Sequence, residues 1–168
     1  MKGVSVMATL TVLKFDTSDG AENELEVIEN LSKQQMIKLH DAAIVTWPRG
    51  KTKPKTKHLI YLTRIGALSG AFWGLLFGIL FFIPLVGLVA GAALGAVVGS
   101  MKHMGIDEDF IKSIRSKVTE GTSALFLMTS DAVEDRVVEA MKQSKFEIIA
   151  TNLSKEEEEK MRTAFAEE

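Results

Sequence analysis

The chain contains no cysteine. That absence excludes a disulfide framework, a thiol nucleophile and a thiolate metal site. Its three histidines, His40, His58 and His103, lie far apart and follow no ligand spacing, so no zinc centre is indicated. Glycine is plentiful, yet none falls in a Gly-x-Ser-x-Gly elbow, a phosphate loop or a dinucleotide fingerprint. With no convergent acid, base and nucleophile in view, the chain reads as a non-enzyme without catalytic residue, metal or cofactor. A net charge of −2 argues against broad nucleic-acid binding, which needs a basic surface.

Charge itself is missing from one long stretch. From Ile65 to Met101, 37 consecutive residues carry no ionisable side chain. Glycine recurs every fourth residue there in two series, Gly66, Gly70, Gly74, Gly78 and Gly87, Gly91, Gly95, Gly99. A straight helix of that length would measure about 55 Å, nearly twice the hydrocarbon core of a bilayer. Pro84 has no backbone N–H and disfavours helix at the residue before it. The spacing therefore predicts a helical hairpin turning at Pro84, with arms Gly66–Phe82 and Leu85–Met101.

Glycine costs about 1 kcal/mol relative to alanine inside a helix, so a strict glycine repeat requires a reason. A four-residue repeat traces a slanted groove that admits another helix at close range. All eight glycines are thus expected to pack helices and drive self-assembly. On the first arm Leu68, Phe72, Leu76 and Leu80 form a large opposing face suited to lipid. Ala90, Ala92, Ala93 and Ala96 leave the second arm small on most faces, which favours an oligomer. Trp73 sits at mid-arm and reads as packed, whereas Trp47 and Tyr61 suit an interface.

The charged residues are unevenly placed. Arg49, Lys51, Lys53, Lys55, Lys57 and Arg64 cluster before the apolar stretch, while Glu156 to Glu159, Glu167 and Glu168 crowd the end. If the hairpin inserts in a membrane, the six cations meet anionic lipid headgroups. Lys102 and His103 stand at its other foot, so both termini and the soluble domain would be cytoplasmic. Met1–Leu13 has the outline of a short signal peptide but lacks a small-residue cleavage site before Lys14, and its alternation reads as a strand. Met7 is an alternative start.

Taken in order, Thr9–Asp16 alternates as a strand, and Thr17 to Gly20 is a turn in which Ser18 or Asp19 can cap a helix from Glu22 to Gln34. Leu39–Trp47 is a second strand, stopped by Pro48-Arg49-Gly50. Lys51–Lys57 reads as a basic loop, and Leu59–Leu62 as a short strand or the run-in to the first arm. Beyond the apolar stretch, Asp107 to Asp109 open a helix with the stripe Phe110, Ile114, Val118, ended by Gly121. The acidic triplet lacks the spacing of a calcium loop. Ser123–Thr129 is a strongly apolar central strand. Ser130-Asp131 caps a helix from Val133 to Gln143 with Val133, Val137, Ala140 and Met141 inward, and Phe146–Leu153 is the last strand. Ser154 and Glu157 form a capping box for a final acidic helix.

Residues 1–64 thus hold one β-α-β half and the basic loop, 65–101 the hairpin, and 102–168 a connecting helix, a second β-α-β half and the acidic helix. The expected fold class is α+β, a ferredoxin-like four-stranded antiparallel sheet with the hairpin inserted between its halves. Strands one and three are expected at the centre, two and four at the edges.

The stretches ATLTVLKFD, AAIVTWPRGK, GALSGAFWGLLFGILFFIPLVGLVAGAALGAVVGS, GIDEDFIKSIRSKVTEGTSALFLM and LSKEEE follow one another along the chain. Together they resemble a bacterial and archaeal family of predicted membrane proteins, domain-of-unknown-function family 1269. The resemblance implies the architecture above and no activity. It leaves three functional readings open. One is a non-enzymatic homo-oligomeric membrane protein, scaffold or channel-like, assembled through its glycine hairpins. A second is a soluble cytoplasmic particle whose hairpins bury one another. The third is a small-ligand sensor, by fold analogy alone.

Overall fold

The structure, a computed structural model, describes residues 9–59, 73, 76–82, 105–130, 132–142, 144–153, 156, 157, 159 and 163. Five strands and several helices organise them. β1 is Thr9–Phe15, α1 Gly20–Lys33, β2 Lys38–Thr46 and β3 Lys55–Leu59. A π-helical turn, Gly78–Phe82, precedes α2 (Glu108–Lys117), β4 (Ser123–Ser130), α3 (Glu134–Met141) and β5 (Glu147–Thr151). The sheet order is β3-β2-β4-β1-β5, antiparallel at every junction.

β4 dictates the layering. Its run SALFLMTS is apolar without a break from Ala124 to Met128, so neither face can be left to water. Ala124, Phe126 and Met128 point to one face, and Leu125 and Leu127 to the other. All five are buried. A sheet apolar on both faces needs a layer on each. α1 and α3 supply the first, with Leu25, Ile28, Leu31, Val137 and Met141 packed on Leu13, Phe15, Ile44 and Ile148. The second comes from α2, through Phe110 and Ile114, together with Trp73, Leu76, Phe77, Ile79 and Leu80 of the apolar stretch.

Several sequence expectations hold. β1 and β4 are central, and Trp73 is packed, at 1% exposure. The helix expected to open at Asp107 to Asp109 is present as α2, with Glu108 and Asp109 in its first turn and Asp107 as its cap, the carboxylate accepting from Phe110 N–H at 3.0 Å. Glu156, Glu157 and Glu159 are exposed helical residues. Other expectations are corrected. The sheet has five strands rather than four, because Lys55–Leu59 lies along β2 and makes strand of half the basic loop. β2 is therefore interior, and the outer edges are β3 and β5. Asp19 precedes α1 without a side-chain cap bond; Ala21 N–H instead donates to Ser123 Oγ at 3.0 Å, so a strand residue serves the helix end. Val133, expected to point inward, precedes α3 and is 44% exposed, with its backbone N–H tied to Met36 O at 2.7 Å.

Among the described residues two buried side chains are carboxylates, Glu24 and Asp41. Glu24 lies on the inward face of α1 and is 2% exposed. Its Oε2 meets no hydrogen-bond partner among the described residues. Burial pushes its carboxyl above the ordinary 4.5, and a hydrogen bond with Ser144 opposes the rise. A raised folded pKa means that this group's contribution to stability is complete below pH 4.5 and is lost as pH rises through the folded value. Glu24→Gln is accordingly expected to stabilise the protein at pH 7 by about 1 kcal/mol. It should also flatten the dependence of Tm on pH above the ordinary carboxyl range, as thermal melts across pH would record.

Candidate functional site

The most specific arrangement of polar and aromatic groups is the cradle that holds the apolar stretch on the sheet. It begins with an irregularity in β2. Leu39, Ala42 and Ile44 face α1, while Ala43 and Val45 face the opposite side. Regular alternation would put Asp41 with Leu39 against α1. The β2–β4 register shifts between Leu39 and Asp41, and the extra residue turns Asp41 to the other face. There Asp41, 3% exposed, accepts from Trp73 Nε1–H through Oδ2 at 3.0 Å. Its Oδ1 accepts from Ala42 N–H at 2.9 Å. Beside it, His40 Nε2 and Ser130 Oγ are hydrogen-bonded at 2.7 Å.

Aromatic rings fill the middle of the cradle. Phe126 of β4 meets Phe77 and Trp73 edge-on, with centroids at 5.2 and 6.1 Å. Trp47 meets Phe81 edge-on at 6.3 Å. Edge-to-face pairs contribute about 0.5–1.5 kcal/mol beyond the area they bury. A third tie comes from α2. A π turn displaces carbonyls from the regular i+4 ladder, and the Ile79 carbonyl accepts from the Arg115 guanidinium. A carboxylate, an aromatic ring and a guanidinium thus hold Trp73, Phe77 and Ile79 by three different chemistries.

This placement corrects one expectation. Leu76 and Leu80, read as a lipid-suited face, are 0% and 2% exposed and lie in the core of their own domain. Gly78 is part-buried in the π turn. Gly66, Gly70, Gly74, Gly87, Gly91, Gly95, Gly99, Pro84 and Arg64 lie outside the described residues, as do Leu68, Phe72, Lys102 and His103. Arg49, Lys51, Lys53, Lys55 and Lys57 are exposed along β3 and the turn before it. Among the described residues no group of His, Asp and Glu could hold a metal ion, and no helix is long and apolar enough to cross a membrane. A groove of about 330 Å³ lies between α1 and α3, lined by Asn30, Gln34, Met36, Arg136 and Glu139.

Sequence reasoning passed over Asp41, Arg115 and Phe126 as functional residues. For Asp41 the signal was present, because it is the single acid in the apolar run LHDAAIVTW. A lone carboxylate on a buried strand demands a donor.

Fold and cradle together define a small α+β domain with an antiparallel sheet covered on both faces, one cover being drawn in part from the chain's uncharged stretch. The chain belongs to the family described as proteins of unknown function, DUF1269, which matches residues 67–166. That span takes in Trp73, Arg115 and Phe126 and begins after β3. No curated protein and no solved structure matches the chain.

Proposed function

We propose that the chain is a non-enzymatic, self-assembling structural protein. In this reading a ferredoxin-like core, β2-β4-β1-β5, keeps the first arm of the apolar stretch for itself, and the second glycine series packs against further copies. The observation that carries it is the seating of Trp73, Phe77 and Ile79 against the sheet and α2 through Asp41, Phe126 and Arg115. A helix held there satisfies its apolar side chains with protein, and a charged guanidinium against its backbone is costly to move into hydrocarbon. Glycines at Gly87, Gly91, Gly95 and Gly99 remain suited to close helix packing, because a groove without Cβ atoms lets backbones approach.

A second reading, an oligomer inserted in the membrane with its soluble part on the cytoplasmic side, draws on the 37 uncharged residues. One experiment separates the two. The full chain is fractionated through an alkaline carbonate wash and sized with and without detergent. Trp73 fluorescence is then read in a Trp47→Phe background against lipid-borne quenchers. Release by carbonate, a discrete oligomer without detergent and an unquenched, blue-shifted Trp73 are expected. Retention in the membrane with quenching of Trp73 would replace the first reading by the second. Gly91→Leu or Gly95→Leu should dissociate the oligomer by steric exclusion, and survival of both unchanged would remove the glycine packing from either reading.

A further inference from the structure

From Ala42 to Ile106 the chain contains no aspartate or glutamate, yet it carries seven lysines and arginines. The rest of the chain then holds 13 cations against 22 anions, so the molecule is acidic except for this stretch. Five of the seven, Arg49, Lys51, Lys53, Lys55 and Lys57, fall within nine residues, and all are exposed. The fold gathers them on one margin. β3 is one of the two edge strands, with Lys55 opposite Thr46 and Lys57 opposite Ile44, so the two lysines share a face.

The turn that presents the others is held by its own bonds. Trp47 N–H donates to Thr122 O at 3.0 Å, Gly121 N–H donates to Trp47 O at 2.6 Å, and Trp47 Nε1–H donates to Lys51 O at 2.8 Å. The Arg49 side chain lies across Gly121, within 3.3 Å of where a Cβ would stand. These cations therefore project from fixed backbone rather than from a loose tail.

We infer that this β3 margin is a docking surface for an anionic lipid bilayer, engaged peripherally through headgroup phosphates. Charge complementarity identifies the occupant. A row of exposed cations without an acid among them, along a sheet edge on an otherwise acidic protein, matches a flat, uniformly anionic surface. The surface potential of such a membrane favours each nearby lysine or arginine roughly five-fold in partitioning. The interaction is Coulombic and so is confined to about one Debye length. It needs no insertion of the apolar stretch and does not depend on the assembly proposed above.

The test is co-sedimentation of the full chain with vesicles of phosphatidylglycerol and phosphatidylcholine, and with phosphatidylcholine alone. Binding to the anionic vesicles only is expected, reversed at about 1 M salt, where the Debye length falls to ~3 Å. Replacing Lys51, Lys55 and Lys57 with glutamine should weaken partitioning on the order of 100-fold. The matching lysine-to-arginine variant should retain it, which separates charge from folding. Salt-resistant binding to neutral vesicles would overturn the inference in favour of apolar insertion. No vesicle binding, or glutamine variants that bind equally well, would also overturn it and leave the lysines as guards of an open sheet edge.

Discussion

Trp73→Ala is expected to destabilise the protein by about 3–5 kcal/mol, the range for deleting a large buried aromatic side chain. Two losses add. The indole is 1% exposed and touches Phe77 and Phe126, so its removal leaves a void in the cradle. It also withdraws the N–H that meets Asp41 Oδ2 on a carboxylate that is itself 3% exposed. Trp73→Phe separates the two, since it keeps most of the ring volume and loses the donor. Its cost should fall to about 1–3 kcal/mol, the penalty for a buried acceptor deprived of its partner. Urea unfolding of both variants, with Asp41→Asn as a third arm, measures this directly. A Trp73→Ala variant as stable as the parent would mean that the apolar stretch does not rest on the sheet in solution.

Gly105→Val should be nearly as damaging, on the order of 3 kcal/mol, for a reason unrelated to burial. Gly105 has φ +86°, a region that β-branched residues essentially do not occupy. A Cβ there would stand 2.9 Å from Asn152 Cβ and 3.1 Å from the Asn152 carbonyl oxygen, and a backbone atom cannot step aside cheaply. Asn152 is itself tied to β1, its Oδ1 accepting from Leu10 N–H at 2.9 Å and its N–H donating to Leu10 O at 3.0 Å. The substitution would therefore disturb the end of β5 as well as the turn into α2. Thermal melts are the check. Gly105→Ala should lose less than Gly105→Val, and an unchanged Tm for both would show that this turn is not strained.

Much of the fold was legible because it follows from local periodicity. β1, β2, β4 and β5 announce themselves by alternation or by short apolar runs between turns, and α1 by Leu25, Ile28 and Leu31 recurring at helical spacing. β3 was not legible. In KTKPKTK lysine alternates with threonine and proline, so neither face is apolar and no burial signal exists. It is a strand because β2 has an open edge whose N–H and C=O groups need partners. The Asp41 bulge was equally hidden, since a bulge belongs to the pairing of two strands and not to either alone.

By itself, the sequence determined that this is an α+β chain with apolar strands, a cationic segment and a long uncharged stretch that water could not solvate. Only the tertiary structure decided what covers part of that stretch. The hydrophobic effect is non-directional and rewards removal from water whatever the new neighbour is, so Leu76 and Leu80 read the same against lipid or against protein. The difference lies in directional partners contributed from distant positions. Asp41 reaches Trp73 across 32 residues and Arg115 reaches Ile79 across 36, and separations of that kind have no signature in the order of the chain.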